Sequence, residues 1–441
     1  MKHKKKRICF TMASIILIAV SAMQCTVQAK GKTEITLMHF WGEEQAEKSG
    51  DTDSWRAMLK EWKAEHPDVW LDESIMSQMD YTNKIQALAA LVDLPDIMLV
   101  KGSWMENFVN SGLLMEMDSY IETYEYKDSF YEDVFLGSTK NGYIYGIPCQ
   151  ASLTSFVFYN EALWKEAGYE IFPDNWEDIY KAAEYFAEKG IATFALGNGD
   201  QWASESCWLS ALGDRYTGSE WTNSIIAADG EAKFTDEEFV NALEHMEDLV
   251  PLFNKDFRTI SDAKAVEAYY SQGKAAAVVT GHWAVGYINS SASEEIVKNT
   301  QIALLPAVDG GKGEENTTAG GYGWFFAINS DVIGTEKEAL CMDLLLKTCG
   351  YEASEYYTEH YGMKGSSRIE KPDLSGIDEL SAKLAAVIAE IERFTPTYDL
   401  FMDASVISVM NEGLQELLGG EKNAEELAQE IQEVQEIYSN R

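Results

Sequence analysis

The sequence predicts a doubly wound α/β protein of two domains that ends in a helical region. Three observations carry this. Strand-like and helix-like patterns alternate through residues 34–100. About 412 residues remain once an N-terminal leader is set aside, enough for two ordinary domains. Past Thr335 the apolar spacing is helical almost to the end of the chain. With 46% hydrophobic and 24% charged residues, the composition is that of a folded chain and excludes a disordered one.

The elements follow in order. Residues 34–41 (EITLMHFW) alternate as a first strand, and a polar loop with Gly42 and Gly50 follows. Trp55, Met58, Leu59 and Trp62 recur at helical spacing until His66-Pro67 stops the helix. Residues 69–75 read as a second strand, 81–92 as a helix and 94–100 as a third strand. In doubly wound sheets the ligand crevice lies beyond the carboxyl ends of the strands. That places Trp41, Glu43, Glu44, Ser103 and Trp104 at a crevice mouth. Residues 144–148 (IYGIP) read as extended chain leaving this domain, with Gln150 and Ser152 just beyond.

Further strands are expected at 156–159, 192–196, 275–280, 301–305 and 322–328. Asn175 is a candidate N-cap for a helix over 176–189. Helices are expected over 201–212, 235–253 and 261–272, and residues 309–321 read as a Gly-rich polar loop. The 275–280 strand ends at Gly281-His282-Trp283. No internal repeat occurs.

The N-terminus reads as a leader. Lys2, Lys4, Lys5, Lys6 and Arg7 precede an uncharged apolar run over residues 8–20, and Val27-Gln28-Ala29 fits a small-x-small cleavage site. The run is shorter than the roughly 20 residues a membrane span needs. Residues 1–29 are therefore expected to be a secretory signal, with the mature chain starting at Lys30. A second reading makes Cys25 a lipidated first residue, although Gln24 stands where a small residue is usual. Removing residues 1–29 takes the formal net charge from −38 to −43, because five basic residues and no acidic ones leave. A surface so acidic repels nucleic acid and anionic lipid.

Cys149, Cys207, Cys341 and Cys349 remain in the mature chain. Cys341 and Cys349 are eight residues apart on one predicted helix, about 12 Å by helical rise and too far for a disulfide. All four read as small buried hydrophobes, and no Cys/His spacing suggests zinc. The chain shows no GxSxG, HExxH, P-loop or GxGxxG pattern, so neither a cofactor nor a metal is expected. No pair of carboxylates stands out by spacing as a catalytic couple.

Aromatic placement carries the functional signal. Trp41, Trp104, Trp202 and Trp283 fall at or just past predicted strand ends, and Tyr322 and Trp324 follow a Gly-Gly pair. Sugar rings present flat C–H faces that stack on indoles, and their hydroxyls need polar partners. Glu43, Glu44, Ser103, Gln150, Ser152, Gln201 and Glu205 are the polar candidates beside those indoles. Core packing is the competing reading for any single indole, and it is the one adopted for Trp55, Trp62, Trp164, Trp176 and Trp208.

A set of short motifs now stands in order along the mature chain. It runs Leu94-Pro95-Asp96-Ile97, Ser111-Gly112-Leu113-Leu114, Tyr145-Gly146-Ile147-Pro148, and Phe158-Tyr159-Asn160 leading to Trp176-Glu177-Asp178. It continues with Phe194-Ala195-Leu196, Gly273-Lys274-Ala275-Ala276 running to Gly281-His282-Trp283, Leu305-Pro306, Gly320-Gly321-Tyr322-Gly323 and the stretch 411–420. In this the sequence resembles the bacterial extracellular solute-binding proteins of ABC importers, family 1, the group that includes maltose-binding protein.

The resemblance implies two α/β lobes of the type II periplasmic-binding-protein kind, closing by a hinge on a ligand. Lobe 1 would comprise residues 30–148 and 301–350, and lobe 2 residues 149–300 and 351–441. It implies a monomeric, non-catalytic receptor that takes a carbohydrate, expected to be an oligosaccharide, to permease subunits. It supports Trp283 as a stacking platform, and it adds Gly321, Tyr322, Tyr398 and Asp399 as cleft residues. The chain departs from the pattern at Gly362-Met363-Lys364-Gly365, which leaves the role of Arg368 open. Two rival functions stay open: a receptor for a non-sugar solute such as a polyamine or peptide, and a secreted glycoside hydrolase.

Overall fold

A computed structural model of the chain describes residues 32–439. The leader at 1–29, with Cys25 and the cut after Ala29, lies outside the described residues.

The strands that build and join the two lobes are β1 (Thr33–His39), β2 (Val69–Ile75), β3 (Ile97–Lys101), β4 (Ser152–Leu153), β5 (Phe156–Asn160), β6 (Ala192–Ala195), β7 (Ala275–Thr280), β8 (Thr300–Leu304), β9 (Thr317–Gly321), β10 (Trp324–Ile328) and β11 (Arg393–Thr395).

The first sheet runs β10-β3-β1-β2. β1 is parallel to β2 and β3, as the strand–helix alternation requires, and β10 returns antiparallel to β3. The helix Gly50–Glu65 buries Trp55, Met58, Leu59 and Trp62 on one stripe against this sheet. Trp55 stacks on Phe326 of β10 at 4.9 Å and 7°. The helix Glu338–Cys349 completes this core with Cys341, Leu344, Leu345 and Cys349.

The second sheet runs β8-β5-β7-β6. Only β6 and β7 are parallel; β5 runs antiparallel to both β7 and β8. β7 (AAAVVT) is buried at every position, because helices cover both faces of the sheet there. Asn175 caps the helix Trp176–Glu188 by accepting the Asp178 N–H at 2.9 Å. The C-terminal helices Ala404–Leu418 and Ala424–Ser439 pack with Glu237–Asp248 on the same core.

Two segments cross between the sheets and pair with each other. The outward crossing leaves the first sheet at Ile147, bridged to Phe326, and becomes β4. The return crossing is β9, which pairs antiparallel with β4 and parallel with β11. Two glycines permit this ribbon. A Cβ at Gly320 would press on the Ser152 carbonyl at 2.7 Å, and Gly321 adopts φ +152 against Phe401.

Two expectations are corrected. Residues 317–321 form a strand rather than loop, because they find partners in Leu153 and Arg393–Thr395 that no local pattern reveals. The lobe boundary placed at 301 moves as well. Residues 300–304 pair with Phe156–Asn160 in the second sheet, and the chain regains the first core only at Tyr322. The helix Tyr351–Tyr361 touches both lobes. Tyr356 and Tyr361 donate to Asp53 of the first at 3.2 and 2.8 Å, while Tyr357 packs with Leu380 and Leu384 of the second.

Candidate ligand-binding cleft

A cleft with ≈ 1060 Å³ of empty space opens between the lobes, at the carboxyl ends of β1, β6 and β7. From the first lobe Phe40 and Trp41 follow β1, Gln45 sits on the short helix Glu43–Ala46, Ser49 and Asp51 stand at the start of the helix Gly50–Glu65, and Trp324 opens β10. The crossing segments add Gln150, Ser152 and Thr154, with Thr397 and Asp399 behind them. The second lobe adds Asp200 and Trp202 after β6, Asp262 at a helix start, and Trp283 and Tyr287 after β7. At the rim Lys48 of the first lobe pairs with Glu267 of the second at 2.9 Å.

The walls are rigid for identifiable reasons. Trp41 is nearly buried and sits edge-on to Phe326 at 5.4 Å, and its backbone N–H donates to His39 Nδ1 at 3.0 Å. His39 meets Glu73, which also accepts from Arg56 at 2.7 Å and Lys63 at 2.9 Å. Burial opposes the Glu73 charge, but these three partners hold its carboxyl far below the usual range. Across the cleft, Trp202 and Trp283 meet edge to face at 5.8 Å and 65°. Trp283 Nε1 donates to Asp262 at 2.9 Å, and Thr280 donates to the same carboxylate at 2.8 Å. Burial pushes Asp262 up to about 6.

Six of the expected site residues line this cleft: Trp41, Gln150, Ser152, Trp202, Trp283 and Asp399. The other nine lie elsewhere. Glu43 is exposed and turned to Arg56 at 2.5 Å, and Glu44 is exposed on the same short helix. Trp104 backs Trp324, edge-on at 5.4 Å, so Trp324 is the indole that reaches the cleft. Ser103 lines a smaller pocket beside Met402 and Tyr438. Gln201 takes a left-handed turn at φ 66, which presents Asp200 to the cleft instead. Gly321 serves the crossing ribbon. The Tyr322 hydroxyl donates to the Gly365 carbonyl at 2.9 Å inside the first core, within the stretch that departs from the family pattern. Tyr398 is buried in the second core, leaving its neighbour Asp399 to accept from Lys101 at 2.5 Å. Arg368 lies with its guanidinium 5.7 Å over the Tyr131 ring, away from the cleft.

Glu205 is fully buried behind the cleft wall, in a wide π turn over Glu205–Leu209. It accepts from Ser206 at 2.9 Å and Ser210 at 2.6 Å. Burial first, and then the negative field of Asp399, push it up to about 8. The folded state therefore keeps this proton to higher pH than the unfolded chain. Its stabilising contribution is complete below the ordinary carboxyl range and is lost as pH rises through about 8. Between pH 5 and 8 the wild type should lose more stability than Glu205→Gln. Chemical denaturation at both pH values reads this, and identical losses in the two proteins would refute it.

Sequence reasoning missed Phe40, Asp51, Gln78, Asp200, Asp262 and Tyr287 as cleft residues, and it noted Trp324 beside the Gly-Gly pair without placing it in the site. Asp262 offered only a weak signal, since Ser261-Asp262 opens a predicted helix after a loop that joins two helices. Asp51 and Tyr287 had none, because their position depends on how the lobes face each other.

Residues 48–332 match the family of bacterial extracellular solute-binding proteins. The chain belongs to this family. The ordered motifs resembled the same group. Among its relatives this solute-binding protein is 25% identical to lipoprotein LipO of Bacillus subtilis, over 76% of this chain and 68% of LipO. It is likewise 25% identical to the arabinooligosaccharide-binding protein of Bacillus subtilis, over 64% of each. A solved chitin oligosaccharide binding protein superposes with a TM-score of 0.82 at 23% identity, covering 93% of this chain and 100% of that one. The fold is thus that of the type II periplasmic binding proteins, two doubly wound lobes joined by a hinge with a helical C-terminal region. The arabinooligosaccharide-binding relative and the solved chitin oligosaccharide neighbour are both named as binding proteins. Among the described residues no helix is long and apolar enough to cross a membrane, and no three metal-ligating side chains converge.

Proposed function

We propose that this solute-binding protein captures a carbohydrate, and specifically an oligosaccharide, between its lobes and delivers it as a monomer to the permease subunits of an ABC importer. One observation carries the reading. Indoles from both lobes, Trp41 and Trp324 on one side and Trp202 and Trp283 on the other, face one cleft that also holds Gln45, Gln78, Gln150 and four aspartates. Flat apolar faces beside amide and carboxylate groups suit sugar rings and their hydroxyls. Relatives named for arabinooligosaccharide and chitin oligosaccharide binding support the same class.

A second reading has an observation of its own. The described lining contains Asp51, Asp200, Asp262 and Asp399 but no Lys or Arg, which also suits a cationic solute such as a polyamine. One thermal-shift screen separates the two. A ligand bound only by the folded cleft raises Tm in proportion to ln(1 + [L]/Kd), so ligand at about 100 times Kd adds about 2.7 kcal/mol. Chito-, xylo- or arabino-oligosaccharides should raise Tm and spermidine should not. A shift with spermidine alone reverses the assignment, and no shift with any sugar defeats the proposal. Release of reducing sugar during the same incubation would identify a glycoside hydrolase instead.

The tether belongs to this proposal too. LipO is named a lipoprotein, which supports a lipid on Cys25 as the alternative to a mature start at Lys30. Intact mass of the protein purified from its membrane and medium fractions decides between them.

A further inference from the structure

Cys149 and Cys349 are 200 residues apart in the chain, yet their Sγ atoms lie 2.7 Å apart. Both side chains are buried in the first core. Cys149 stands on the outward crossing, one residue before Gln150 of the cleft, and Cys349 ends the Glu338–Cys349 helix.

A third segment holds them in register. The Ser366 N–H donates to the Cys149 carbonyl at 2.9 Å, and its hydroxyl donates to the Cys349 carbonyl. Beside it, Gln150 bridges antiparallel to Gly365. The approach of the two sulfurs is therefore set by backbone on both sides, not by a chance rotamer. The remaining pair is placed differently: Cys207 lies in the second core, and Cys341 precedes Cys349 by two turns of the same helix.

We propose that Cys149 and Cys349 are joined by a disulfide in the extracellular form of this protein. Extracellular compartments permit such bonds to persist. The bond forms by exchange with the disulfide of a thiol–disulfide oxidoreductase. One cysteine thiolate attacks it to give a mixed disulfide and release one carrier thiol. The second cysteine thiolate then displaces the carrier. Two protons and two electrons leave the cysteine pair, and the carrier departs as its dithiol. Burial raises the Cys149 thiol well above its usual range, so exchange belongs to the stage before the first core closes.

The consequence is mechanical. The cross-link ties the outward crossing to a first-lobe helix up to residue 149. On that crossing, bending between the lobes then begins at β4, where it pairs with β9.

The test uses the full chain as exported by cells. The protein is denatured in alkylating reagent without reductant, digested, and mapped by mass spectrometry. The Cys149 and Cys349 peptides should appear linked, with Cys207 and Cys341 alkylated. Alkylation of all four without reductant overturns the proposal. In parallel, reductant in denaturant-assisted melting should lower the wild-type transition by several degrees and leave Cys149→Ser/Cys349→Ser unmoved. Equal responses of the two proteins overturn it as well. If the double variant does not fold, the peptide map of the wild type still decides.

Discussion

Trp283→Ala should weaken oligosaccharide binding by about ten- to a hundredfold, at about 1.4 kcal/mol per decade, and change the melting temperature of the ligand-free protein little. The indole lines the cleft and is only partly buried, so its removal empties wall rather than core. Trp202 loses the ring it meets edge-on at 5.8 Å, and Asp262 loses one of two donors while keeping Thr280. What disappears is a flat apolar face and one of the two donors that orient the Asp262 carboxylate, and both are contributions to ligand rather than to fold. Gly281 gives a second route to the same test. A Cβ there would occupy the space of the Trp283 six-membered ring, so Gly281→Ala should displace the indole and weaken binding without removing it. Calorimetry with the sugar that raises Tm most measures both. An unchanged Kd for Trp283→Ala would remove Trp283 from the site.

The second large effect is on stability. Arg215 is 1% exposed, and its guanidinium donates to three carbonyls: Leu305 at 3.2 Å, Glu315 at 2.9 Å and Thr317 at 2.7 Å, with the Thr317 hydroxyl as a fourth partner. Burial lowers its pKa to about 10, which still leaves it charged at neutral pH. The neighbouring Asp214 is also buried and accepts from Arg393 at 3.0 Å. Arg215→Ala would orphan these carbonyls, open a cavity and unbalance the Asp214 charge. Losses of about 3–5 kcal/mol accompany such truncations. At about 2–4 °C per kcal/mol, Tm should fall by roughly 10 °C. Arg215→Lys should rescue little, because an ammonium cannot reach across three carbonyls as the planar fork does. The residues released lead into β9, so the crossing ribbon should loosen as well. A Tm within two or three degrees of wild type would show that the fork does not anchor this segment.

Parts of this architecture were legible in the chain because they are local. The stripe Trp55, Met58, Leu59, Trp62 buries against the first sheet as its spacing requires. Asn175 caps the helix it precedes, and the strand ends at Trp41, Trp202 and Trp283 reach one crevice. Those three indoles were accessible to reasoning because a strand's carboxyl end and the next residue are adjacent in sequence.

Other parts depended on contacts between distant segments. Trp104, past a predicted strand end, was the expected candidate, and only the antiparallel return of β10 beside β3 puts Trp324 in front and Trp104 behind. Glu43 looked like a ligand contact until Arg56, one helix later, claimed it. Glu205 stood beside Trp202 in the chain, yet the π turn rotates it into the core. Residues 317–321 carried a loop composition, and their strand exists because β4 and β11 supply partners.

By itself, then, the sequence determined the order of strands and helices, the buried stripe of each helix and the family to which the chain belongs. Periodicity, capping residues and short motifs all act within a few residues of each other, so a linear reading captures them. The tertiary structure alone decided which indoles front the cleft, which carboxylates are paired away from it, and that Cys149 meets Cys349. Each of these is a contact across tens to hundreds of residues, and its partner is chosen by packing rather than by spacing.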